Sequence, residues 1–156
     1  MKNIDIHVKI ESLDYSELNP DEQRIIEAAK ATTAQSYAPY SHFRVGAAVL
    51  LDNGEIVCGS NQENAAYPSG LCAERTAIFY ANSQYPESAV VMLAIAAHTA
   101  GTFLPKPITP CGACRQVLLE AEERFHRPIE VLLYGTQTIY RIGNIHDLLP
   151  LSFSFE

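Results

Sequence analysis

The sequence predicts an α/β domain in which helices are layered against a sheet, and three observations support this fold class. From residue 71 onward, predicted helices alternate with predicted strands, which is typical of layered α/β proteins. The apolar run over 89–97 is rich in residues that favour strands and predicts a central strand buried on both faces. The chain has 156 residues, 47% of them hydrophobic, which is the size and composition of one well-packed domain.

The first quarter of the chain predicts a short strand and a long helix. Apolar and polar residues alternate between positions 4 and 10, which predicts a half-buried strand. The polar residues 11–18 are expected to form a connector. Asn19 followed by Pro20 and two acidic residues is typical of a helix start, and the helix is expected to end near Ser36.

A β-hairpin is predicted next, with strands over 43–51 and 55–60 joined by a tight Asp-Asn-Gly turn. A polar loop over 61–70 follows. The remaining elements alternate in type and are a helix over 72–82, the strand over 89–97, a proline-containing loop over 99–110, a helix over 111–125, strands over 129–134 and 138–142, and a short helix over 145–149.

Charge and patterning exclude several classes of partner. The formal net charge is −7 and there is no run of Lys or Arg, so the sequence predicts no binding to nucleic acid or to an anionic membrane surface. The longest apolar run has nine residues, whereas a transmembrane helix needs about 20. The N-terminus lacks the apolar core of a signal peptide. A cytoplasmic location is therefore expected, where thiols stay reduced and the four cysteines need an explanation other than disulfides.

Cys111 and Cys114 form a C-x-x-C pair that has three interpretations on its own: half of a zinc site, a redox pair, or two buried thiols. Cys72, placed 39 positions upstream at the start of another predicted helix, favours the first. Three thiolates supply three zinc ligands and leave the fourth position open, which is the arrangement of a catalytic site. Cys58 lies within a predicted strand and is expected to be a small core residue rather than a fourth ligand.

Glu74 and Arg75 follow the first cysteine within one helical turn. The Glu74 carboxylate can turn back toward a water at the metal and move a proton, although an acid in a first turn is also favoured by the helix dipole alone. Arg75 can donate hydrogen bonds to the sulfurs and offset the excess negative charge of three thiolates, although it would also be an ordinary solvated helix residue. Two helix N-termini aimed at the cluster would stabilise thiolates in the same way.

At this point the sequence resembles the small homotetrameric cytidine deaminases of pyrimidine salvage. The blocks that carry the resemblance cover the chain from about residue 20 to 153 and are Tyr37–Gly46 (YAPYSHFRVG), Asn61–Tyr67 (NQENAAY), Gly70–Arg75 (GLCAER) and Thr109–Gln116 (TPCGACRQ), with a weaker match at Leu148–Phe153 (LLPLSF). The resemblance implies a three-layer fold with a mixed five-stranded sheet between helices. It also implies a catalytic domain over 19–156, with residues 1–18 as an extension that has no assigned function.

The same resemblance implies roles for individual residues. Cys72, Cys111 and Cys114 would hold one Zn²⁺ per subunit, with Glu74 as the proton shuttle. The residues implied in substrate binding are Phe43, against the pyrimidine ring; Asn61 and Glu63, on the ribose hydroxyls; Gln62 and Ala73; and Tyr67 and Phe153, near a boundary between subunits. From the residues alone, Phe43 would be a core residue and 61–64 a polar loop. Gln62 departs from the family's small apolar residue, and Ser60 stands where many relatives have cysteine.

The implied reaction is hydrolytic deamination of cytidine and deoxycytidine to uridine and deoxyuridine, with release of ammonia. Three alternatives remain open at this stage. A related deaminase would act on a modified aminopyrimidine nucleoside, and a non-catalytic zinc-held interaction module would need four protein ligands and leave Glu74 without a role. A redox pair would need only Cys111 and Cys114.

Overall fold

The structure is a computed structural model that describes residues 1–155. Three α-helices and seven β-strands form the framework, joined by short 3-10 turns. The helices are α1 (Pro20–Thr32), α2 (Ala73–Gln84) and α3 (Gly112–Phe125). The strands are β1 (Glu11–Leu13), β2 (Arg44–Leu51), β3 (Ile56–Ser60), β4 (Val90–Thr99), β5 (Thr102–Phe103), β6 (Glu130–Tyr134) and β7 (Ile139–Ile142). Among these residues, no helix combines the length and the apolar character needed to cross a membrane.

All seven strands belong to one mixed sheet, whose order is β1-β7-β6-β4-β2-β3, with β5 paired to β4. Only the β4–β6 pair is parallel, and α3 provides its crossover. The predicted fold class is confirmed, but the predicted count of five strands is wrong by two. The additional strands, β1 and β5, have only three and two residues, too few to give a periodic signal in the sequence.

Helices cover both faces of the sheet, because the side chains of each strand alternate in direction. Alternate residues of β2 and β4, including Ala48 and Ala94, pack with Ile25 and Ile26 of α1 on one face. The intervening residues pack with α2 and α3 on the other face. The two helices that begin at cysteines therefore lie side by side on the same face of the sheet.

The N-terminal prediction of a strand over residues 4–10 is wrong. Residues 1–10 belong to no strand, and pairing begins at Glu11, inside the predicted connector. Arg141 of β7 holds the short strand in place, with its guanidinium 2.7 Å from Glu11 and 2.8 Å from the buried carboxylate of Glu22. The alternation over residues 4–10 indicates one apolar face, but it does not show which residues pair with the sheet. The edge of β7 is occupied by residues 11–13, which follow the alternating segment.

The first long helix begins as predicted and ends slightly earlier. Asn19 accepts a hydrogen bond from the Glu22 amide at 3.0 Å, and Glu22 accepts one from the Asn19 amide at 2.7 Å, which is a capping box. The helix ends at Thr32, and a 3-10 turn carries the chain to Gln35.

Cys58 is exposed rather than part of the core, because it lies on the edge strand β3.

Candidate active site

The cysteine cluster is assembled by the starts of two helices. Cys72 and Cys111 are the residues that cap α2 and α3, and Cys114 lies in the first turn of α3. The close seating of α2 on the sheet depends on Gly59, because a Cβ at this position would lie 2.4 Å from the amide nitrogen of Ala77. The cluster is thus positioned by the packing of two helices on one sheet face rather than by a flexible loop.

The three sulfur atoms fit a tetrahedral zinc ion. All three lie within 4.8 Å of one another, with Cys72 Sγ 3.8 Å from Cys111 Sγ and Cys111 Sγ 3.6 Å from Cys114 Sγ. Zinc–sulfur bonds of about 2.3 Å in a tetrahedron separate sulfurs by about 3.8 Å. Among residues 1–155, no other His, Cys, Asp or Glu side chain belongs to this cluster, so none provides a fourth ligand. The donor set therefore matches a zinc site with one open position.

Hydrogen bonding among the thiols already favours ionisation at one of them. The bond with the Cys114 side chain, followed by bonds from Arg75 and Cys111, lowers the pKa of Cys72 to about 5. The same bond, together with burial, raises the pKa of Cys114. Neighbouring thiols resist simultaneous ionisation because like charges repel, and a bound cation removes that obstacle.

Arg75 lies beside the sulfurs of the cluster. Its Nη2 is 3.5 Å from Cys72 Sγ, which is hydrogen-bonding distance for sulfur. Its Nε is buried and, within the described residues, has no hydrogen-bond partner. The guanidinium places a permanent positive charge at the edge of the cluster, where it offsets the negative charge of the thiolates.

Glu74 is the acidic residue nearest to the cluster in the sequence, and its side chain is buried. Only 5% of the residue is exposed, and it faces a cavity of about 250 Å³ that Phe43, Asn61 and Ala73 also line, together with two of the cysteines. Burial raises the pKa of this carboxyl, with a smaller contribution from the negative charge of Cys72. The structure thus brings a buried carboxyl group, a thiol cluster and a space for a small molecule together.

The side chain of Asn61 joins several backbone segments beside this cavity. Its Oδ1 accepts hydrogen bonds from the Ser36 hydroxyl and from the Val45 amide, the latter at 2.8 Å. Its Nδ2 donates to the Phe43 carbonyl at 2.9 Å. An amide nitrogen carries two hydrogens, so one donor remains for a ligand. Asn61 is therefore held in one orientation by the fold itself.

Glu63 is held by the loop that precedes β2. The Ser41 hydroxyl donates to its carboxylate at 2.5 Å, the Ser41 amide at 3.2 Å and the Tyr40 amide at 3.3 Å. These bonds, the hydroxyl first, lower the pKa of Glu63 and keep it ionised. The sequence pattern identified Glu63, but it gave no sign that Ser41 would contact it, because the two are 22 positions apart.

Four residues predicted to bind substrate, Glu63 among them, do not line the cavity that contains Glu74. The side chain of Gln62 turns toward Ser60, with its Nε2 donating to the Ser60 hydroxyl at 3.1 Å. Tyr67 lines an adjacent hollow with Glu63 and Arg75, and 78% of its surface is exposed. Phe153 is 66% exposed and packs edge-to-face on Phe155. Within the described chain, Phe153 is not brought to the thiol cluster.

Arg115 is a residue of the site that the sequence analysis missed. Its Nε donates to the carbonyl of Pro110 at 2.8 Å, and its Nη1 donates to that of Leu148 at 2.6 Å. These bonds fix the segment that leads into Cys111. The available signal was its position directly after the second cysteine of the C-x-x-C pair.

Comparisons with known proteins agree with this geometry. A family model described as the cytidine and deoxycytidylate deaminase zinc-binding region matches residues 19–126. A cytidine deaminase of Sporosarcina psychrophila is 47% identical over 87% of this chain and 93% of its own length. One from Halalkalibacterium halodurans is 39% identical, over 87% and 96% respectively. The crystal structure of a Burkholderia pseudomallei cytidine deaminase, 43% identical, superimposes with a TM-score of 0.69 over 83% of this chain and 97% of that one.

Proposed function

Because this chain belongs to the cytidine and deoxycytidylate deaminase family, we propose that it deaminates cytidine and deoxycytidine to uridine and deoxyuridine. Water is the second substrate and ammonia the second product. The observation that carries the proposal is the burial of Glu74 in the same small cavity as Asn61, Phe43 and the cysteine cluster. That cavity combines an acid–base group, a metal-ligand set and an aromatic ring that can pack on a pyrimidine.

We assign one zinc ion per chain to Cys72, Cys111 and Cys114. When bound, zinc supplies a Lewis acid that lowers the pKa of water toward about 7. Arg75 keeps the three thiolates from neutralising this effect, since its guanidinium hydrogen-bonds Cys72 at 3.5 Å. The helix N-termini at Cys72 and Cys111 act in the same direction because their partial positive charge favours thiolates.

Glu74 moves the protons of the reaction. Its carboxylate accepts a proton as water attacks C4 of the ring, and it delivers that proton to N3, where negative charge would otherwise accumulate. Glu74 then carries the second proton, from the hydroxyl newly bound to C4, to the amino group, which leaves as ammonia while the C4 carbonyl forms. The buried position keeps bulk water away from the carboxyl group, so that its pKa lies closer to the range that acid–base catalysis requires.

Asn61 and Glu63 are proposed to bind the ribose hydroxyls. Asn61 has one amide hydrogen left after its bonds to the protein, and Glu63 offers an ionised acceptor held by Ser41 and Tyr40. A charge-assisted bond to a sugar hydroxyl discriminates a nucleoside from a free base. Phe43 and Ala73 line the space for the base, while Gln62 contributes through the backbone of the same segment.

Replacement of Glu63 by glutamine is expected to raise KM for cytidine about 10- to 100-fold, because a bond to a charged acceptor is lost. The value of kcat should change little, since the sugar does not react. Ser41→Ala should raise KM less, because it removes one of the bonds that hold the carboxylate. Steady-state kinetics test both, with Glu55→Gln, an exposed acid in the hairpin turn, as the control. An unchanged KM in Glu63→Gln would contradict the assignment.

We also propose that four copies assemble, with sites near the subunit boundaries. Large side chains exposed on the single chain support this, including Phe79 and Tyr80 of α2 and the segment that contains Phe153. Tyr67 and Phe153 would then lie beside a neighbour's cavity. Light scattering on the zinc-loaded protein is expected to give about four times the 17.2 kDa chain mass. A mass of one chain would contradict the proposal.

The reaction is tested by the ultraviolet absorbance of cytidine mixed with the zinc-loaded protein. Conversion of the cytidine band to that of uridine, with ammonia released in equal amount, is the expected result. Unchanged absorbance with zinc bound would show that cytidine is not the substrate, and modified aminopyrimidine nucleosides would then be tried.

We place the protein in the cytoplasm, since all four cysteines are free. Recovery from an oxidising compartment would contradict this location.

A further inference from the structure

Residues 1–10, here called the arm, precede the region matched by the family model, and their apolar side chains lie in water. Four β-branched residues recur at every second position, and each is more than two-fifths exposed: Ile4, Ile6, Val8 and Ile10. The arm continues directly into β1, which is the end strand of the sheet in the described chain. An exposed edge preceded by a strand-patterned segment is a template for pairing with another strand.

We propose that the arms of two copies of this chain pair as antiparallel strands around a twofold axis at His7. In this register, residue 7 of one copy faces residue 7 of the other. The pattern of the arm then complements itself. Between residues 3 and 11, the even-numbered apolar residues of one copy lie opposite even-numbered residues of the other, and the odd-numbered polar residues lie opposite odd-numbered ones.

The apolar face of this ladder is continuous. Ile4 of each copy lies opposite Ile10 of the other, and Ile6 lies opposite Val8. Cross-strand pairs of β-branched side chains stabilise antiparallel strands. Pairing also brings four side chains per copy, which are 44–88% exposed in the single chain, into contact with apolar partners.

The polar face is complementary in charge. Asp5 of each copy lies opposite Lys9 of the other, so the twofold axis creates two identical ion pairs. In the single chain, Lys9 lies 3.2 Å from Glu11; the lysine side chain is 80% exposed and the glutamate side chain 36%. Lys9 would therefore lie between two carboxylates, and Glu11 would face the neutral amide of Asn3.

Neighbouring registers are less favourable. A slip of one residue places the apolar face of one arm over the polar face of the other. A slip of two residues in one direction places Asp5 opposite Glu11, which are like charges. A slip of two in the other direction places Lys2 opposite Ile10. Only the register centred on His7 satisfies both faces.

The register predicts a disulfide at one position of the arm. Residues directly opposite in an antiparallel pair have Cα atoms about 4.5–5.5 Å apart, within the range that a disulfide spans. In a Cys58→Ser background, zinc-loaded full-length His7→Cys is expected to form a disulfide-linked dimer on mild oxidation, visible on a non-reducing denaturing gel. Asn3→Cys is the matched control, because the two copies of residue 3 would lie about 27 Å apart along the ladder.

Charge reversal provides the second test. Asp5→Lys or Lys9→Asp, each added to His7→Cys, is expected to slow cross-linking about threefold or more, because each places like charges opposite one another twice. The double exchange of Asp5→Lys with Lys9→Asp should restore the rate. Equal cross-linking of His7→Cys and Asn3→Cys, no cross-linking of either, or no recovery in the double exchange would overturn the proposal.

Discussion

Replacing Glu74 with glutamine is expected to reduce kcat for cytidine about 10⁴-fold, while zinc stays bound and the fold is unchanged. Glutamine keeps the shape of the side chain but cannot carry the proton from water to N3 or onto the departing amino group. One carboxyl group serves both transfers, so a single change removes both. The loss of turnover is measured from the absorbance of cytidine. The retention of zinc is measured by elemental analysis.

The fold should tolerate the change, because the ionised form of a carboxyl group buried to this extent is unfavourable. Glu74→Gln is therefore expected to melt at or above the temperature of the unaltered protein. Glu120→Gln, which alters an exposed glutamate on α3, is the control and should leave both activity and melting unchanged. Normal turnover in Glu74→Gln with zinc bound would exclude Glu74 as the proton carrier.

Replacing Cys114 with serine is expected to abolish stoichiometric zinc binding and to lower the free energy of unfolding by at least about 3 kcal/mol. Cys114 is completely buried, and the cluster joins the start of α2 to the first turn of α3. Loss of the metal therefore removes a link between two helices as well as the chemistry. A decrease of roughly 10 °C in melting temperature corresponds to this loss in a chain of this length.

Cys58→Ser is the matched control for that experiment. Cys58 is exposed on β3 and is not part of the cluster, so zinc content should be unchanged and the melting temperature should move by no more than roughly 2 °C. One zinc per chain and unaltered melting in Cys114→Ser would show that this thiol is not a ligand.

Local signals in the sequence predicted most of the framework. Asn19 and Pro20 mark a helix start that the structure has, and the Asp-Asn-Gly turn joins two strands that are paired as expected. The apolar run that ends near Ala97 is the central strand β4. Each of these features depends on neighbouring residues in the chain, which is why pattern alone identifies them.

Features that depend on distant residues were not predicted. The exposure of Cys58 follows from the position of β3 at the sheet edge, which no local pattern reveals. The contacts of Ser36 with Asn61 and of Ser41 with Glu63 cross 25 and 22 positions. The motifs identified the residues proposed to meet the substrate, but the serines that orient them became visible only in three dimensions. The roles of Tyr67 and Phe153 stay predictions, because they involve a second subunit.

The pairing of β1 with β7 has a consequence for the synthesis of the chain. Glu11 and Arg141 are 130 positions apart, so β1 leaves the ribosome long before its partner strand has been made. At about 5–20 residues per second, that interval is on the order of ten seconds. The first strand to be synthesised is thus among the last to join the sheet. Any pause in translation before residue 139 prolongs the time during which an edge-forming segment remains available to other nascent chains.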